Sequence, residues 1–95
     1  MNPRLEKSGI KKLKDQFLSR FLEDAKGARF EVEGINKDCQ NTFSYRPLEM
    51  VRRQLDTSSK RIVFELNNLI VLLENLNDEN VETMNDIDEV LSKNS

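Results

Sequence analysis

LEMVRRQLDTSSKRIVFELNNLIVLLENL, residues 48–76, decides how this chain is to be read. Leu48, Leu55, Ile62, Leu69 and Leu76 recur every seven residues, and the positions four beyond them are Arg52, Ser59, Leu66, Leu73 and Asn80. Two rows at that spacing describe the seam of a long helix, apolar throughout in one row and only in the later half of the other. Asp56-Thr57-Ser58-Ser59 interrupts it with residues that favour caps and turns. The seven-residue phase survives across this stretch, so one continuous helix is expected, opened by Pro47 in its first turn and by Glu49 at its positive end. Ile62, Val63, Leu66, Leu69, Ile70, Leu73 and Leu76 form a broad face suited to the domain core. At about 100° per residue, Phe64 and Val71 project almost opposite that face and need cover of their own. The hairpin or last helix of the same chain could supply it, or another chain could. The expected protein interface therefore comprises Phe64 and Val71, together with Leu48, Leu55 and Leu72.

Working outward, Ile10, Leu13, Phe17, Leu18, Phe21, Leu22 and Ala25 recur at steps of three and four. They predict an N-terminal amphipathic helix to Lys26, capped by Ser8 or begun a turn or two earlier at Asn2-Pro3, and stopped by Gly27. Between Gly27 and Gly34 the period falls to two through Ala28, Phe30 and Val32, and Asn41 to Arg46 alternates again through Phe43 and Tyr45. A small β-hairpin is the expectation there. Asn77-Asp78-Glu79-Asn80 predicts a break, after which Val81, Met84, Ile87 and Val90 or Leu91 stripe a short acidic C-terminal helix. The expected fold class is mainly α (α+β), a single helical interaction domain over residues 1–95, with flexible ends at 1–7 and 93–95.

Composition narrows the function. The chain has no histidine, which removes the usual general base near neutral pH and the commonest metal ligand. Cys39 is the only cysteine, so no intrachain disulfide is possible, and a reducing, intracellular compartment (cytoplasm or nucleus) suits it best. No metal or cofactor is expected. The segment from Asp78 to Glu89 resembles a calcium loop only at its start, because Thr83 stands where glycine is required. Gly27 and Gly34 are not followed by Lys-Ser or Lys-Thr, so they make no phosphate loop. The longest purely apolar run, Leu69 to Leu73, is far too short to cross a bilayer.

Charge is polarised: residues 1–26 hold seven Lys or Arg against four acids, and residues 76–95 hold six acids against Lys93. Lys7, Lys11, Lys12 and Lys14, with Arg52 and Arg53, are the candidate phosphate contacts. The preferred expectation is a non-catalytic protein-interaction module, a complex subunit, adaptor or regulator, acting through the long helix on a protein partner or on itself as a homodimer. The alternative is a small nucleic-acid-associated regulator that dimerises through its C-terminal half and presents the basic helix to phosphates, against which the acidic pI of about 5.2 weighs.

Overall fold

The computed structural model describes residues 3–42 and 46–94. Helix α1 (Pro3–Leu13) runs through a single π-helical turn (Lys14–Leu18) into α2 (Ser19–Thr42). The backbone stays right-handed helical on both sides of that turn, at Leu13 and at Ser19, so α1 and α2 form one rod. A short 3-10 turn (Arg46–Leu48) opens α3 (Glu49–Leu76), and α4 (Met84–Lys93) ends the chain. The molecule measures 63 × 23 × 17 Å.

The two long rods lie antiparallel. Lys26 pairs with Glu74 at 3.5 Å, Arg29 donates to Asn67 at 2.8 Å, Asn36 to Asp56 at 2.9 Å and Gln40 to the carbonyl of Arg52 at 2.9 Å. Residue numbers rise on one rod as they fall on the other, which is the signature of a helical hairpin. On α2 and the preceding turn the inward row is Leu18, Leu22, Ala25, Arg29, Val32, Asn36 and Cys39, all buried or half-buried. On α3 it is Glu49, Arg52, Asp56, Ser59, Val63, Leu66, Ile70 and Leu73. Both rows alternate steps of three and four, the knobs-into-holes pattern of a coiled coil. Its apolar heart is near the open end, where Leu18, Ala25, Ile70 and Leu73 are buried with Leu22, Leu66 and Leu76 packed around them. Towards the connection the seam turns polar, and Asn36, Gln40, Arg52 and Asp56 bond across it.

The expected β-hairpin is not there: among the described residues there is no strand. Residues 27–42 continue α2, and residues 43–45, which hold Phe43 and Tyr45, lie outside the described residues. The alternation at Ala28, Phe30 and Val32 was a coincidence within one window. Val32 belongs to the seven-residue row that also contains Ala25 and Cys39, whereas Phe30 stands 79% exposed. Gly27 and Gly34 do not stop the helix. Each faces open space and costs it only about 1 kcal/mol relative to alanine, less than the seam returns.

The expected continuous helix across Asp56 to Ser59 is present, as is the break after Leu76. The N-terminal segment expected to be flexible is helical from Pro3, and Glu6 and Lys7 make contacts with the segment before α4 and with its first residue. Glu6 Oε1 accepts the Met84 N–H at 2.5 Å, and Lys14 Nζ donates to the carbonyls of Asp78 and Val81 at 2.6 and 2.5 Å. The rod thereby ties down the loop that delivers α4. Thr83 caps α4: its hydroxyl accepts the Asp86 N–H at 3.2 Å while the Asp86 carboxylate accepts the N–H groups of Thr83 and Glu82 at 2.9 Å.

Candidate functional site

A two-helix coiled coil has two flanks, one on either side of its seam. Lys26, Asn67 and Glu74, with Gln40 and Ser19, mark one of them, and it is polar: Lys26 meets Glu74, Arg29 reaches Asn67, and Asn77 donates to the Ser19 hydroxyl at 3.4 Å. The opposite flank belongs to the positions just before the inward row of α3 and four before or three after that of α2. There stand Phe21, Ala28 and Ile35 of α2 and Leu48, Leu55, Ile62 and Leu69 leading into and along α3. All but Ala28 are between 40% and 70% exposed. Phe17 and Val51 stand at the rim, likewise exposed. At the connection end, Cys39, Leu48, Val51, Arg52 and Leu55 line a hollow of about 210 Å³ that opens on this side.

The balance is unusual for a chain this size. Among the described residues six hydrophobic side chains are buried, while sixteen large ones are exposed. Scattered apolar residues are normal on any surface, but a continuous strip along one flank is not.

Of the five residues expected to form the interface, Leu48 and Leu55 lie on this flank. Phe64 and Val71 are also exposed, but with Met50 they form a separate strip on the outer back of α3. Leu72 is half-buried and lines, with Asn68, Val71 and Asn94, a hollow between α3 and the end of α4. The sequence reading therefore spread one expectation over three surfaces. It also missed Ile62 and Leu69, which it placed in the core, Phe21, which it placed in the N-terminal stripe, and Ile35, which lies between the two expected strands. The signal was present in α3. Leu48, Leu55, Ile62, Leu69 and Leu76 carry no polar residue, and a row that faces the short, partly polar seam of one hairpin would not need to be so uniformly apolar.

The candidate phosphate contacts do not converge. Lys7 and Lys14 are engaged with Glu82 and with backbone carbonyls, and Lys11 and Lys12 sit beside them at the open end. Arg53 pairs with Glu49 at 2.9 Å at the other end, with Arg52 next to it. Level with Gln40, that pair stands 29 residues from Lys11 along the rod, roughly 44 Å at the helical rise. Two acids of the supposed calcium loop serve as turn and cap acceptors: Asp78 takes the Asn80 N–H, and Asp86 takes those of Glu82 and Thr83. Those bonds, with the Thr83 hydroxyl, hold the Asp86 carboxyl below its ordinary value. The Asn36 amide and then Lys60 do the same to Asp56. Among the described residues no three His, Cys, Asp or Glu side chains gather as metal ligands would, and no helix is long and apolar enough to cross a membrane.

Neither a family model, nor a curated protein, nor a solved structure matches this chain.

Proposed function

We propose that this chain is a non-catalytic helical-hairpin subunit that works by packing its apolar flank against helices of another chain. The observation that carries this reading is the unbroken exposed strip of Phe21, Ile35, Leu48, Leu55, Ile62 and Leu69 beside a seam that is polar over half its length. A hairpin with so few buried side chains folds with little stability to spare, and association is the ordinary way in which small helical units gain more. Covering what each of those side chains still exposes contributes about 1 kcal/mol, so a covered flank adds several kcal/mol to what the buried heart supplies. Phosphate contact has no comparable support, because its residues lie at opposite ends of the rod and beside acids.

The test compares the wild type with the double variant Leu55→Glu, Ile62→Glu by circular dichroism and by native mass spectrometry of complexes captured from the native cell. The variant should remain helical and lose stoichiometric association of every kind. A parallel variant, Phe64→Ser with Val71→Ser, reads the outer strip of α3 separately. Undiminished association by the flank variant overturns the proposal.

A further inference from the structure

Resting on that reading, we propose that the occupant of the flank is a second copy of this chain, two hairpins closing face to face into a four-helix bundle with both interhelical connections at the same end. Summed over the flank and its rim, the exposed fractions correspond to on the order of 700 Å² of apolar surface per chain. That is close to the ~800 Å² each partner contributes to a stable interface of standard size. The strip also draws on both rods along most of their shared length, so its natural complement is another pair of rods. A single foreign helix would fill the groove and leave the rims wet. A twofold axis makes the same strip serve as both donor and receiver of contacts.

Charge selects the direction. The edge of α2 beyond the apolar strip, three residues on from Phe21, Ala28 and Ile35, carries the exposed acids Asp24, Glu31 and Asp38, whereas the corresponding edge of α3, three on from Leu48, Leu55, Ile62 and Leu69, holds Val51, Ser58, Glu65 and Leu72 and so a single acid. With the connections at opposite ends, α2 would face α2 of the other copy and set three acids against three. With the connections at the same end, α2 faces α3 of the other copy, and the three acids meet one acid instead of three. Like charges brought together across an interface are penalised, so the second arrangement is preferred.

Sedimentation equilibrium on the purified chain over about 1–100 µM is the first test, a span that resolves micromolar dissociation constants. The wild type should run as a dimer. Ile62→Glu enters the interface twice and should weaken dimerisation at least ~100-fold, because each copy buries an unpaired carboxylate. Leu55→Gln is the milder companion should Ile62→Glu lose its helix, and Phe64→Glu, on the outer back of α3, should leave the dimer intact. For direction, a spin label at Arg46→Cys in a Cys39→Ser background reads the distance between connections. Same-end pairing predicts less than roughly 30 Å and opposite-end pairing about 50 Å. A monomeric wild type overturns the second-copy proposal, as does a dimer that tolerates both flank substitutions. If a monomeric wild type still captures a stoichiometric helical partner through the flank, the proposed function stands and only its occupant changes. A long label distance overturns the same-end arrangement.

Discussion

Ile70 and Leu69 are neighbours with opposite fates: Ile70 is 4% exposed in the heart of the seam and Leu69 is 40% exposed on the flank. A stripe counted from sequence alone includes both, since a broad apolar face cannot be divided into the part that meets the same chain and the part that meets another. The structure divides it by one residue. Ile70→Asp should abolish folding, because an unpaired buried carboxylate costs several kcal/mol, comparable to the stability of a whole small domain. Leu69→Asp should leave the isolated hairpin helical, and thermal melts of the two at micromolar concentration check the contrast. Asp86 supplies a second expectation at this scale. Its carboxyl is lowered by the N–H groups it accepts, so the cap stabilises α4 fully above the ordinary carboxylate range, near pH 4, and fades as pH falls through the depressed value. Asp86→Asn should remove that part of the acid dependence, read as the helical signal of α4 by NMR between about pH 5 and pH 2.

At the scale of elements, the long helix, its continuity across Asp56 to Ser59, the break after Leu76 and the last helix were all legible, because each rests on a pattern of many residues. The central third was misread because the six residues between Gly27 and Gly34 satisfy a period of two as well as a period of three and a half. What settles such a window is the partner rod, and Asn36 with Asp56 and Gln40 with the Arg52 carbonyl are bonds that sequence spacing does not reveal. The glycines then become a handle. Nothing stands within 4 Å of a Cβ built at Gly27 or Gly34. Gly27→Ala and Gly34→Ala should each stabilise the helix by about 0.5–1 kcal/mol, measured by chemical denaturation. In a strand-turn setting the same substitutions would be neutral or harmful.

For the whole molecule, the flank was half legible. Leu48 and Leu55 were found, yet they were grouped with Phe64, Val71 and Leu72, which the hairpin sends to two other surfaces. A helical wheel for one helix cannot tell which side of a seam its neighbour supports, and Phe21 and Ile35 join the strip only because α2 lies alongside. The candidate phosphate contacts likewise divide, with Lys7, Lys11, Lys12 and Lys14 together at the open end and Arg52 and Arg53 at the connection. Ionic strength offers a whole-molecule check. The apolar flank carries few charges, so its association should hold or strengthen on raising salt to about 0.5 M, whereas phosphate contact would weaken steeply. Light scattering across that range reads the difference.

The π turn at Lys14–Leu18 bears on how this rod tolerates changes of length. Ile10 and Leu18 are both buried although eight residues separate them, one more than a heptad allows. The wide turn absorbs the surplus, so the segment before it keeps its phase. Removing one residue there, such as the exposed Gln16, lets the turn relax to an ordinary α-helix with Ile10 and Leu18 a regular seven apart. Removing Glu31, equally exposed, turns everything on one side of it by about 100° and pulls the seam out of register. The shorter chain lacking Gln16 should therefore melt at or above the temperature of the parent, and the one lacking Glu31 well below it. In this rod a deletion is judged by the residue it takes from the winding, and at one turn alone the winding has a residue to spare.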